Sequence, residues 1–301
     1  MAATDLNFQV DIAHWGWSIA WFLWFVGIAG MGSVAYYFVR KAALSYVIFG
    51  SLAVGLVLVV SHLGRWWNLP RTLWVMITSG IFNYTSWMIV GIVLLSVHLV
   101  LSVIIVAGHI PWLQRIELLK WTKPLSSANA YLAVYAFLGF MATVYSGFLI
   151  TQAAGIPLWN SSLIPVLWVV SGSIAAIAVI ELMYVFGLIE SSVSTLAVRL
   201  GLGLDAIKLL AVLGFLHVAL AYGSAGARIG ATAMASGEYA LMTWGGVIGI
   251  GILIPLAIGA YTVLVRKSKA LLVVSSVAAL AGVFFLRAVV LLAGAWEPLV
   301  L

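Results

Sequence analysis

The sequence predicts an all-α membrane protein of eight transmembrane helices, and three observations carry that prediction. The chain is 65% hydrophobic and only 7% charged. Its apolar residues fall into eight runs of about 20, the length that spans a bilayer core as helix. Its basic residues gather on one side of those runs. A soluble domain of this composition could not hydrate its surface, so most of the chain must be solvated by lipid. The 301 residues are expected to form a single integral membrane domain. A first four-helix bundle is expected over 15–153 and a second over 163–293.

The 301 residues contain no cysteine. Disulfides, thiolate catalysis and cysteine-ligated iron–sulfur clusters are thereby excluded within this sequence. The net charge of +6 points to topology and contact with lipid headgroups, with no role for nucleic acid. The first residues, MAATDLNFQVDIAHW, carry two aspartates and no basic residue. They lack the basic n-region of a signal peptide, so the first apolar run is expected to be retained as a span.

In order, span 1 covers 15–39 and stops at Arg40-Lys41, and span 2 covers 44–63. The connection SHLGRWWNLPRTLWVMITSGIFNYTSW follows. Its LWVMITSGIF piece is too short to cross and is expected to be interfacial or re-entrant. Span 3 covers 86–108, and a basic loop leads to span 4 over 131–153. Span 5 covers 163–188; IESSVSTLAVRLGLG is then expected to lie at the interface as a short helix before span 6 over 204–222. The small-residue loop GSAGARIGATAMASGE is expected to be irregular. Span 7 over 239–265 and span 8 over 271–293 complete the set. No short repeat and no inverted symmetry is visible.

Eight spans put both termini on one side. That side carries Arg65, Arg71 and Arg228; the other carries Arg40, Lys41, Arg115, Lys120, Lys123, Arg199, Arg266, Lys267 and Lys269. Three against nine places the termini, and the connection between spans 2 and 3, outside.

Polar groups within the spans are costly in hydrocarbon, so each is a candidate for function. Arg287 in span 8 either snorkels and pairs structurally or belongs to a polar pocket in the outer leaflet. His14, at the start of span 1, and His62, at the end of span 2, lie near the outer face. His217 is in the outer half of span 6, His98 near the middle of span 3 and His109 at its inner end. A bis-histidine haem needs two histidines at matching depth on facing spans, and this set is scattered. Tyr145 is either a packed aromatic or a phenol that hydrogen-bonds a quinone carbonyl and passes a proton. Ser61, Asn83, Tyr84, Thr85 and Ser86 add donors and acceptors at the same face. Glu181 has no partner close in sequence and could join a proton path from the inside. Asp205 and Lys208, spaced i,i+3, read as a local ion pair. The 14 tryptophans sit mostly at span ends, as interfacial belts do. The glycines of GIAGMGS in span 1 suit close helix packing, without the strand–turn–helix context of a phosphate loop.

Together these pieces form a pattern. HLGRWWN followed by TSW resembles the DLGRP…SW region of the NrfD/polysulfide-reductase membrane-subunit family. VYSGFLI and IPLWNSSLIPVLWVVSG resemble its YTG…P-W…P-F-x-x-SG region, and FFLRAVVLLAG its terminal LR…G helix. Order and spacing agree over nearly the whole chain. His62 stands where the family commonly has an acid, and Trp66 where it commonly has proline.

The resemblance implies a quinone- or quinol-binding membrane anchor of a molybdopterin-type respiratory oxidoreductase in the cytoplasmic membrane. It implies no haem or iron–sulfur cluster in this chain. The implied partners are a ferredoxin-like iron–sulfur subunit and a molybdopterin catalytic subunit, on the extracytoplasmic face. A menaquinone-like or other membrane quinone would be bound by His14, Ser18, His62, Arg65, Ser86, Trp87, Tyr145 and Arg287, with His62 and Tyr145 as the proton relay. A di-haem cytochrome b-type anchor and a secondary transporter are the competing readings.

Overall fold

A computed structural model describes residues 15–62, 65–80 and 85–297. Within hydrocarbon every backbone polar group must find a partner inside its own segment, so the apolar runs fold as helices. Eight of the described helices are long and apolar enough to span: α1 (Trp17–Val39), α2 (Ala42–His62), α4 (Trp87–His109), α6 (Asn129–Thr151), α7 (Leu163–Val185), α8 (Ser191–Tyr222), α10 (Met242–Leu264) and α11 (Lys269–Leu292). Shorter helices α3 (Leu69–Ser79), α5 (Thr122–Ser127) and α9 (Ala225–Ala235) lie between them. Their ends follow ordinary chemistry. Arg40 closes α1 in the left-handed conformation, φ 49°, with its N–H on the Tyr36 carbonyl. Gly80, φ 66°, closes α3, where a side chain would be strained.

Helix α1 is the central post. It packs on α2 and α6 within the first half of the chain, and on α7 and α11 of the second. Glycine makes the closest of these contacts. A Cβ on Gly30 would strike Thr143 and the Gly139 backbone, and one on Gly139 would strike Ser33. The start of α1 and the end of α11 share the membrane face of the termini. Trp24 donates to the Leu280 carbonyl at 2.9 Å, and Trp159 stacks on Trp15 while donating to Val290 at 2.7 Å.

Three expectations need correction. The 191–203 stretch is not a separate interfacial helix but the beginning of α8, which runs unbroken for 32 residues. At 1.5 Å per residue α8 is about 48 Å long, so it extends well past a hydrocarbon core of about 30 Å. Lys267 fixes the projecting end, donating to the Ser191 carbonyl at 3.1 Å with its ammonium over the Tyr184 ring. Second, much of the small-residue loop is helical, as α9. Its N-terminus is capped by Glu297, which accepts from Ser224 at 2.5 Å and from the Gly226 N–H at 2.9 Å. Its small side chains let Gly230 lie against Leu158 and Ala293. Third, Asp205 and Lys208 form no ion pair. Lys208 donates instead to the Gly251 carbonyl at 3.1 Å, and the ion pair found among the described residues is Lys120–Glu117.

Helix α10 adds a feature with no sequence forecast: it is wound as a π-helix over Met242–Leu253. Two of its glycines face α11, where Gly246 meets Phe285 and Gly251 meets Gly282 backbone to backbone.

Candidate functional site

The face of the termini opens into a cavity of about 290 Å³ between α1, α2, α3, α4 and α6. Its walls are mostly apolar: Ile19 and Phe22 from α1, Leu56 and Val59 from α2, Leu69 from α3, Ile92 and Leu95 from α4, and Leu149 from α6. Its polar groups are few. His62 at the end of α2 stands at the exposed side, Tyr145 of α6 on a buried wall, and Ser96 of α4 also reaches the lining.

Local structure explains how each arrives. Tyr145 is only 5% exposed, and its ring is stacked at 6.4 Å by Trp87, which also stacks on Phe148 at 5.1 Å. Gly91 lies one turn of α4 beyond Trp87. A Cβ there would overlap the Tyr145 hydroxyl, so glycine supplies the room that the phenol needs. That hydroxyl has no hydrogen-bond partner among the described residues. It is a donor aimed into an apolar cavity. Ser86 precedes α4 in extended conformation and places Trp87 at its first position. On the other wall Ser18 Oγ lies 3.1 Å from His62 Nδ1, tying α1 to α2 at the mouth.

The eight residues expected to bind thus fall into groups. Ser18, His62, Trp87 and Tyr145 line or border the cavity, with Ser86 holding Trp87. Arg65 is exposed just beyond α2 and is not in the lining. His14 lies outside the described residues, as do Asn83 and Tyr84. Arg287 is elsewhere. It is fully buried in the core, donating to the Leu23 carbonyl at 3.1 Å, Ser171 Oγ at 3.0 Å and the Val283 carbonyl at 3.2 Å, with its guanidinium over Trp168. It braces α1, α7 and α11, which is the structural reading of an intramembrane arginine.

Sequence reasoning passed over Gly91, Ser96 and Leu69. Gly91 carried a signal, as a lone glycine four residues after Trp87 in an unbroken apolar run. A second polar group lies in the other half of the molecule. Ser276 donates to Glu181 at 2.8 Å, and Glu181 and Asp205 share a cavity of about 20 Å³, about one water in size.

An apolar slot with a phenol deep on one wall and an imidazole at its mouth suits a flat hydrophobic ring bearing polar oxygens. It offers a hydrogen-bond donor on a buried wall and a ring nitrogen at its exposed side.

The family model described as "Polysulphide reductase, NrfD" matches residues 5–297 of the chain. Protein NrfD of Escherichia coli is 26% identical, over 95% of this chain and 96% of its own. An NrfD homolog of Haemophilus influenzae is 27% identical over 93% and 94%. The C chain of polysulfide reductase from Wolinella succinogenes is 25% identical over 95% and 96%.

Proposed function

The chain belongs to the NrfD/polysulphide reductase family, and from that premise we propose that it is the quinone-handling membrane anchor of a respiratory oxidoreductase of the molybdopterin type. The observation that carries this reading is the Tyr145 hydroxyl, without a partner among the described residues, in the cavity of about 290 Å³. A quinone supplies two-electron, two-proton redox chemistry from within the bilayer. The residues present fit such a ring: apolar walls from α1, α2 and α4, a stacked phenol, and a clearance at Gly91 that any side chain would fill.

Tyr145 donates a hydrogen bond to a ring oxygen and holds it against the wall. His62, oriented by Ser18, takes or returns a proton at the mouth. Trp87 fixes the Tyr145 ring. Ser86 supports Trp87, and Arg65, exposed just outside, faces the partner or the mouth. His14 belongs to the same set by its place before Trp15. Arg287 acts on the site through α1, which it braces. The first four spans are the quinone-handling unit, and the second four complete the anchor.

Electrons pass to an iron–sulfur subunit of ferredoxin type and on to a molybdopterin catalytic subunit. The relative that is named as one lettered component of polysulfide reductase supports assembly with other subunits. The three-against-nine distribution of basic residues supports a cytoplasmic membrane location with the cavity and the partners on the extracytoplasmic side.

The test is Tyr145→Phe, which removes one oxygen and keeps the ring. Quinol turnover by the complex is expected to fall by about tenfold to a hundredfold while subunit assembly is retained. Unchanged turnover with natural quinol would contradict the role given to Tyr145.

A further inference from the structure

We propose that α3 and the turn before it form a membrane-surface anchor: the helix lies flat in the lipid headgroup region on the face of the termini, and its grip on lipid holds Leu69 against the quinone cavity. The role at the cavity rests on the quinone reading; the lipid contact does not.

Protein holds α3 only loosely. The helix packs chiefly on the turn Trp66–Asn68 that precedes it, and Met76 is its one buried residue. Thr72 and Thr78 turn their hydroxyls back on their own segment, donating to the Asn68 and Trp74 carbonyls at 2.9 Å each. Arg71 has neither a hydrogen bond nor an ion pair among the described residues. Yet large apolar groups stand uncovered. Trp66, Trp67, Trp74 and Ile77 are 54%, 59%, 67% and 67% exposed. At about 200 Å² for a tryptophan, the three indoles alone leave on the order of 350 Å² open, an area that marks an interaction surface.

The sequence of α3 divides this surface into three stripes, each at the i, i+4, i+7 spacing of one helix face. Leu69, Leu73 and Met76 turn inward, the first two half-buried and the third buried. One residue on, Pro70, Trp74 and Ile77 form an adjoining apolar stripe that is wholly exposed. One residue further, Arg71, Val75 and Thr78 lie beside Thr72 and Ser79 on the remaining side, where Val75 is the one apolar member. Inward and exposed apolar stripes are therefore continuous, and the polar side lies opposite.

That division is the signature of a helix lying in the plane of a membrane surface. Tryptophan is the side chain of the headgroup boundary, apolar in body with one N–H to donate. Arg71, on the polar side, meets lipid phosphates. Span α2 ends at His62 and α4 begins at Trp87, so short tethers keep α3 at the surface. Its orientation then has a consequence for the cavity. Leu69 is the residue of α3 in the cavity lining. With little protein behind the helix, lipid under Trp74 and Ile77 is what keeps that wall in place.

The test uses the absence of cysteine from the 301 residues, which lets single cysteines carry nitroxide labels. The full chain is labelled at Trp74→Cys, Ile77→Cys, Arg71→Cys or Thr78→Cys, with Val97→Cys on the exposed side of α4 as the hydrocarbon standard. Each is placed in vesicles of phosphatidylglycerol and phosphatidylethanolamine with a nickel chelate on both sides. Labels at 74 and 77 are expected to relax with oxygen, as the standard does, and those at 71 and 78 with the chelate. Chelate access at all four α3 positions would overturn the anchor and give the exposed indoles to a protein partner.

In the complex, Trp74→Ser combined with Ile77→Ser is expected to raise the KM for quinol by about tenfold, the low end for loss of an apolar wall contact, with kcat retained. Trp74→Phe combined with Ile77→Leu, which keeps the lipid contact, is expected to restore it. A wild-type KM in the serine variant would overturn the hold on Leu69 and leave the quinone reading standing. A wild-type complex with no quinol turnover would overturn the quinone reading, while the label pattern would still decide the anchor.

Discussion

Tyr145 and Gly91 form one functional unit, because the space for the phenol is the space that the glycine leaves open. Gly91→Ala is expected to destabilise the protein by about 1–3 kcal/mol through overpacking and to lower quinol turnover even though Tyr145 is intact. Thermal unfolding in detergent and quinol assays on the same preparation check both. Arg287 tests the opposite case. Removing its side chain as Arg287→Ala leaves the Leu23 carbonyl and Ser171 without their donor and opens a hole between three helices. The expected loss is about 3–5 kcal/mol, read as a fall in melting temperature and in yield of folded protein. A melting temperature equal to wild type would contradict the bracing role. Both residues stood out in the sequence, Tyr145 by its motif and Arg287 as a charge in a span. What the sequence could not reveal was their separation. Arg287 finds its partners 264 and 116 residues away, a distance that no local pattern encodes.

Among the elements, the spans were legible because hydrocarbon demands long apolar helices, and the short pieces were not because they depend on remote partners. The 225–235 segment reads as a loop by its glycines and alanines, yet folds as α9 once Glu297 caps it from the far end of the chain. The same cap predicts a pH dependence. The Ser224 hydroxyl foremost, then backbone N–H groups including Gly226, holds the Glu297 carboxyl below its ordinary value of 4.5. A depressed carboxyl contributes stability that is complete above its unfolded value and is lost as pH falls through the folded one. Docking of the C-terminal tail is therefore expected to hold at neutral pH and to loosen below about 4.5. Glu297→Gln should loosen it at every pH, as measured by proteolysis of the tail. The π-winding of α10 was equally hidden: its glycines were visible, but their contact with α11 was not. The start of α8 was misread because its mixed residues suggest an interface, whereas the helix simply continues past the membrane and is held there by Lys267.

In the whole molecule, α1 is the shared wall of two regions. One side of it borders the cavity with His62 and Tyr145; the other is fastened to α7 and α11 by Arg287. The eight-span plan and the polar chemistry at one face were readable from hydropathy and motif order. His98 and His109 stood out singly as histidines of span 3, but their contacts with Ser33 and Tyr36 did not, because those partners lie 65 and 73 residues away. Everything proposed for function depends on a quinone ring seated between α1, α2, α4 and α6. Photolabelling the complex with an azidoquinone, followed by peptide mapping, tests that placement most directly. Label is expected on peptides carrying Tyr145 and residues 88–95 of α4, displaced by excess natural quinol. Displaceable label confined to α7–α11 would contradict it.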